Sequence, residues 1–383
     1  MTTVLPKTLA ALASYRDQGM HLGAQIFVAR AGEVIADLAV GEARPGMAMR
    51  EDFLLPWLSA GKPLTAVAIA QLQEKGLVEW HDLVARHLPE FAQGKKGAVT
   101  IFHLLTHTGG FRSADKIDEN LDWQETLRAI CQTPLESDWA PGKKAGYHIN
   151  ASWFVLGEIV RRIDGRPIDQ FVRDEICVPL GMMDSWLALP PASAARYGER
   201  LAEIFRTAHA TPAGTSANVM NERSAVQPGS GARGPCRELA LFYEMLLNGG
   251  RSPRRTTAVL RPETVRALVS RQRVGMFDHT FLHRLDWGLG FILNSNCYGP
   301  LTVPYGYGPY ASDDTFGHSG SQSSCAFADP KHELVVAWVC NGQPGERKHQ
   351  QRARAINAAI YEDLGLAPQQ NEGFEPTATD AAF

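Results

Sequence analysis

Phe53-Leu54-Leu55-Pro56-Trp57-Leu58-Ser59-Ala60-Gly61-Lys62-Pro63-Leu64-Thr65-Ala66-Val67-Ala68-Ile69-Ala70-Gln71-Leu72 is the stretch on which the reading of this chain turns. An apolar entry leads into the tetrad Ser59-Ala60-Gly61-Lys62, and an apolar run follows. Leu64, Val67, Ala68, Ile69 and Leu72 recur with helical spacing and Gly76 ends the run, so a buried helix is predicted from Ser59. Residues i and i+3 of a helix share a face, which brings the Lys62 amine within reach of the Ser59 hydroxyl. The helix N-terminus adds a positive dipole and free N–H groups near any developing anion. Burial would lower the lysine pKa, so a neutral amine could accept the serine proton. Ser59 is thus the candidate nucleophile and Lys62 its candidate base. The tetrad alone is a weak signal, because chance supplies about one or two such matches in a chain this long. Ser113-Ala114-Asp115-Lys116 is a second match, set in a loop with no helix behind it. An N-cap serine followed by a surface lysine is the competing account of the first.

Working outward, residues 5–18 read as an amphipathic helix. Ala24–Ala29 and Glu33–Val40 form a hairpin through Arg30-Ala31-Gly32. Helices are predicted at 101–106, 151–163, 168–176, 236–248, 262–271 and 347–363. Strands are predicted at Trp287–Leu293, Ser324–Ala328 and Leu334–Cys340. Strands at both ends with helices between imply an α+β fold: one antiparallel sheet flanked by the terminal helices, with a mostly helical region inserted. The expected division is a single domain over 1–366 with two lobes, about 1–76 with 266–366 and about 77–265. A polar tail at 367–383 is expected to be disordered. The cleft between the lobes is the natural place for a site.

Composition narrows the function. A formal net charge of -3 gives no electrostatic basis for nucleic-acid or anionic-membrane partners. Arg251, Arg254 and Arg255 sit in a short Gly- and Pro-bearing connection. The N-terminal segment lacks the basic start and long apolar core of a secretory signal, and no stretch has the roughly 18 apolar residues of a membrane span, so a cytoplasmic location is expected. The six cysteines have no CxxC spacing, and reduced thiols are expected. His103 and His107 stand i,i+4 but lack a glutamate at the zincin position and a third ligand, so neither a metal nor a cofactor is expected.

Further segments follow in a set order. They are Leu104-Leu105-Thr106-His107-Thr108-Gly109-Gly110, Pro141-Gly142-Lys143-Lys144-Ala145-Gly146-Tyr147, Trp153–Ile159, Cys177–Met182, Trp287–Phe291 and His318-Ser319-Gly320. With the Ser59 tetrad, this order resembles the serine β-lactamase-like superfamily, in the branch of class C β-lactamases, D-alanyl-D-alanine carboxypeptidases and family VIII carboxylesterases. The resemblance covers about residues 20–345. It implies that Tyr147 is the catalytic tyrosine, with a pKa lowered beside the lysine. The family continues Tyr-x-Asn where this chain has Tyr147-His148-Ile149-Asn150. Counting back from the helix at 153 puts His148 in that register, so His148 stays open as the proton shuttle. The resemblance also implies an oxyanion hole from the backbone N–H groups of Ser59 and Ser321. His318, Gly320, Asn150, His148 and Trp287 are its candidate substrate contacts. Gly320 would admit substrate close to the backbone.

The implied chemistry is acyl transfer through an acyl-enzyme on Ser59, with a small-molecule acyl substrate. His318 stands where class C enzymes have the lysine of Lys-Thr-Gly, and it is only partly charged near neutral pH. This favours carboxylic esters over β-lactams. An acyltransferase in biosynthesis, an amide, peptide or β-lactam hydrolase, and a catalytically impaired binding protein of the same fold are the alternatives. The aromatics Tyr298, Tyr305, Tyr307 and Tyr310 mark a loop at about 297–313 that could face substrate.

Overall fold

Residues 26–29 and 334–340 read as unbroken apolar runs because both faces of their sheet are covered. The structure, a computed structural model, describes residues 4–118, 121–208 and 226–368. The expected disordered tail lies, from residue 369 on, outside the described residues. Seven antiparallel strands form the central sheet: β1 (Gly23–Arg30), β2 (Glu33–Arg44), β3 (Met47–Ala48), β4 (Ile292–Leu293), β5 (Phe316–Gly320), β6 (Ser324–Asp329) and β7 (Leu334–Cys340). Their order is β3-β2-β1-β7-β6-β5-β4, so the two ends of the sequence meet where β1 pairs with β7, with Ile26 opposite Trp338.

Successive side chains of a strand point to opposite faces. Ile26, Val28, Val336 and Trp338 share one core with Leu12 of helix α1 (Pro6–Asp17) and with Ile356 and Ile360 of helix α5 (Glu346–Asp363). Their neighbours Phe27, Ala29, Val335 and Ala337 point the other way, into a second core with helices α2 (Lys62–Glu74), α3 (Ala151–Asp164) and α4 (Cys236–Leu247). The terminal helices are tied together where Thr8 donates through its backbone and its hydroxyl to Asp363, each at 2.8 Å. This is the α+β arrangement expected.

Three details depart from expectation. The helix does not begin at Ser59: Leu58–Gly61 forms a 3-10 turn and the α-helix starts at Lys62, with Pro63 in its first turn, where a missing N–H costs nothing. Of the strand expected at Trp287–Leu293, residues 287–291 form a tight turn before the short β4. A Cβ on Gly288 would lie 2.1 Å from the Leu268 carbonyl, and one on Gly290 (φ 84°) 2.5 Å from Ala66 Cβ, so this segment is folded onto α2. Helix α4, which falls in the segment expected to be the helical lobe, packs against β1, β6 and β7 of the sheet.

Candidate active site

Ser59 lies at the N-terminal end of α2, in a turn the chain has to strain to make. Leu58, just before it, has φ 55°, in the left-handed region that non-glycine residues rarely occupy. The turn is clamped from two sides. Trp57 N–H donates to Ala232 O at 2.7 Å, and Trp57 O accepts from Ser324 Oγ at 2.6 Å. A Cβ on Gly61 would meet Ala232 Cβ at 2.3 Å, so only glycine lets the helix start this close to the 232 segment. Three residues per turn stack i over i+3 more directly than an α-helix does.

Lys62 Nζ accordingly sits 2.9 Å from Ser59 Oγ and donates to Gly229 O at 2.6 Å. The lysine is fully buried, with Nζ 5.2 Å from the ring centre of Tyr147 and 5.6 Å from that of Trp153. Burial pulls its pKa down to about 7, and the more distant Asp115 carboxylate offsets only part of that. A neutral amine with one N–H on Gly229 keeps its lone pair for the serine proton.

Tyr147 is the third member of the group. Its hydroxyl shares the cavity floor with Ser59, and its ring is wedged between those of His107, 4.6 Å away, and Phe281, 4.8 Å away. The lowered phenol pKa expected from sequence is reversed: burial pushes it well above its ordinary value, against the smaller effect of Ser59. Tyr147 therefore keeps its proton and is equipped to donate it. His148, the alternative in the register, points elsewhere. Its ring packs 4.4 Å from that of Phe111, its backbone N–H donates to His107 Nδ1 at 3.0 Å, and it does not line the cavity.

A cavity of about 510 Å³ opens over these groups. Ser59, Tyr147, His318, Ser319 and Ser321 form its floor. Ile149, Phe281, Ile292, Pro304 and Tyr305 supply an apolar wall, and Glu346, Arg347 and Gln350 add polar groups. Of the four tyrosines in the loop at 297–313, Tyr305 is the one that reaches the lining, beside Pro304. His318 is buried, and burial followed by the nearby Lys62 charge lowers its pKa to about 3. Its Nδ1 is 2.9 Å from the Ser319 carbonyl, so the ring is neutral with the proton on Nδ1.

The remaining candidates stand behind the cavity. Gly320 serves a close approach of protein rather than substrate: a Cβ there would be 2.3 Å from Trp57 O, so β5 lies directly on the Ser59 turn and brings Ser321 to it. Asn150 accepts from Ser230 Oγ at 3.1 Å, next to the Gly229 carbonyl that holds Lys62, and does not line the cavity. Trp287 is buried with its ring 5.8 Å from that of Tyr147 and 5.7 Å from that of His318, supporting both from behind. His103 caps its helix through Nδ1, and His107 Nδ1 accepts from the His148 backbone N–H. Among the described residues no group of three or more His, Cys, Asp or Glu is placed to hold one, and no helix is long and apolar enough to cross a membrane.

Sequence reasoning missed three supports. Asp115 Oδ1 accepts the N–H groups of Asn150 and Ala151 and Oδ2 that of Ile149, at 2.7–2.8 Å, which anchors the start of α3. The Gly229 carbonyl has no side-chain signature. Arg273 and Asp278 form a buried ion pair behind Tyr147, and their charges, in a segment with no apolar period, read as surface.

The beta-lactamase family model matches residues 10–360. Esterase EstB of Burkholderia gladioli is 36% identical over 185 residues, 43% of this chain and 46% of that protein. A putative D-alanyl-D-alanine carboxypeptidase of Escherichia coli (strain K12) is 24% identical over 304 residues, 72% of this chain and 66% of that protein. The chain thus spans from about half to just under two thirds of the length of these two relatives. Among solved structures, a penicillin-binding protein homologue from Caulobacter crescentus is similar with 29% identity and a TM-score of 0.73, covering 94% of this chain and 99% of that one. A family VIII carboxylesterase is similar with 27% identity and a TM-score of 0.77, covering 94% and 98%.

Proposed function

The chain belongs to the beta-lactamase family, and on that premise we propose that it hydrolyses carboxylic esters through an acyl-enzyme on Ser59. The observation that carries this reading is the buried Lys62 amine, held 2.9 Å from the Ser59 hydroxyl with a pKa of about 7. A base tuned near the working pH is the effective one.

In the first step Ser59 Oγ attacks the ester carbonyl while the neutral Lys62 takes its proton. The developing oxyanion is held by the backbone N–H groups of Ser59 and Ser321, each such donor contributing roughly 3 kcal/mol. Tyr147, protonated because it is buried, gives its proton to the departing alkoxide, and the lysine ammonium restores it. Water then attacks the acyl carbonyl as neutral Lys62 takes its proton, and the ammonium returns that proton to Ser59 Oγ as the acyl–Oγ bond breaks and the acid leaves.

Ester rather than β-lactam specificity rests on the cavity wall. His318 is neutral, so it offers no fixed charge to a substrate carboxylate, and the lining is rich in aromatic and aliphatic side chains. The esterase and carboxylesterase relatives point the same way. The test is hydrolysis of p-nitrophenyl butyrate beside a penicillin by the wild type and Ser59→Ala. Ester turnover that exceeds penicillin turnover and vanishes in the variant is expected. Equal ester rates in both proteins would remove Ser59 from the mechanism.

A further inference from the structure

Behind the Tyr147 phenol lies a buried charge pair that belongs to no motif of this chain. Asp278 and Arg273 are 0% and 1% exposed at their side chains, with Arg273 Nη2 3.1 Å from Asp278 Oδ2. Burying two charges is costly unless hydrogen bonds offset it; Asp278 Oδ2 has only the ion pair and Arg273 Nε has no partner, while Asp278 Oδ1 and Arg273 Nη1 bond to the segments around Tyr147. Asp278 Oδ1 accepts three backbone N–H groups: Tyr147 at 3.1 Å, Thr280 at 2.9 Å and Phe281 at 3.1 Å. Arg273 Nη1 donates to Thr106 O at 3.0 Å, next to His107, and the guanidinium lies 5.1 Å from the ring centre of Trp287. Thr280 Oγ1 completes the link by donating to Tyr147 O at 3.0 Å.

One carboxylate thus fixes the backbone of Tyr147 and also the backbone of Phe281, whose ring packs on the phenol. The guanidinium anchors the carboxylate and braces two segments whose rings, His107 and Trp287, flank the same phenol. Neither Asp278 nor Arg273 lines the cavity, whereas Thr280, Phe281 and Tyr147, which they hold, do. Its contacts converge on Tyr147 and the rings around it.

We infer that Asp278, held by Arg273, is a positioning residue that sets the Tyr147 hydroxyl at the height where it protonates the leaving alkoxide. The inference rests on the proposed role of Tyr147. It makes a demand that a general stabilising role does not, because only esters whose leaving group needs a proton should suffer. A p-nitrophenolate departs without protonation, and an ethoxide does not.

The experiment compares kcat/KM for ethyl butyrate and p-nitrophenyl butyrate in Asp278→Ala, Asp278→Asn and Thr280→Val, each made in the wild type and in Tyr147→Phe. Active Ser59 is titrated with a fluorophosphonate, so that only folded enzyme is counted. Asp278→Ala is expected to lower the ethyl-to-nitrophenyl ratio by about 100-fold, the scale of a 1 Å misplacement. Asp278→Asn should lower it less, since one acceptor oxygen survives, and Thr280→Val by a few-fold. In the Tyr147→Phe background none of them should lower the ratio further. Where Asp278→Ala yields no titratable enzyme, Asp278→Asn and Thr280→Val decide. Parallel loss on both esters, or a further fall of the ratio in the Tyr147→Phe background, overturns the inference. A Tyr147→Phe enzyme with an unchanged ratio defeats the role of Tyr147 itself, and the inference falls with it.

Discussion

The chain contains the same four-residue pattern twice, and the two copies have opposite fates. Ser59 lies in a 3-10 turn against the sheet and Lys62 opens α2 directly after it, with the lysine wholly buried and its amine 2.9 Å from the hydroxyl. Ser113 and Lys116 also lie in a 3-10 turn, Arg112–Lys116, yet both are exposed. Spacing and a 3-10 turn at the serine are therefore shared, and what differs is water. Burial takes the first lysine from 10.5 to about 7, which suits it to the base role proposed for it. The useful residue of the second copy is Asp115, whose carboxylate receives three N–H groups at the start of α3. A sequence pattern becomes chemistry here only where the fold removes solvent from it.

The largest test of that contrast is Ser59→Ala, which should cut ester turnover by at least about 1,000-fold, as loss of a nucleophile does. Lys62→Met comes next, with a loss of about 100- to 10,000-fold for removal of a general base. The same variant should be more stable than the wild type at pH 7, because a buried amine is exchanged for an apolar side chain. The sign follows from linkage. Between about pH 7 and 10.5 the unfolded chain holds a proton on Lys62 that the folded one has lost. Wild-type stability therefore gains from this residue as pH rises across that window, and Lys62→Met abolishes the gain. Urea melts at pH 7 and pH 9 check both statements, and a larger pH gain in the variant would contradict them. At the small end, Ser113→Ala and Lys116→Ala should leave ester turnover unchanged and shift stability by less than about 0.5 kcal/mol, as exposed substitutions do. A loss of activity in either would collapse the contrast.

The two-ended sheet was legible because strand and helix periods are written in the apolar residues, and β1, β6, β7 and α5 lie within a few residues of expectation. The Ser59 turn was legible as a site but not in its detail, since a 3-10 start and a left-handed Leu58 are imposed by the packing of Trp57, Ala232 and Ser324. The choice of Tyr147 over His148 required three dimensions. One residue of slip in a loop swaps them, and Asp278, 131 positions away, fixes the register. Burial also overturned the expected direction of the phenol pKa, because desolvation outweighs the effect of Ser59. Gly320 and Asn150 were marked by the resemblance, and in the structure Gly320 packs on Trp57 and Asn150 accepts from Ser230.

The central claim is that a desolvated, neutral Lys62 makes Ser59 the nucleophile. Fluorophosphonate labelling followed across pH, with the labelled peptide mapped by mass spectrometry, tests it directly. The account predicts that the label lies on Ser59, that its rate rises with a midpoint near the Lys62 pKa of about 7, and that Lys62→Met removes the rise. A label on Ser113, or a midpoint near the ordinary lysine value of 10.5, would contradict it.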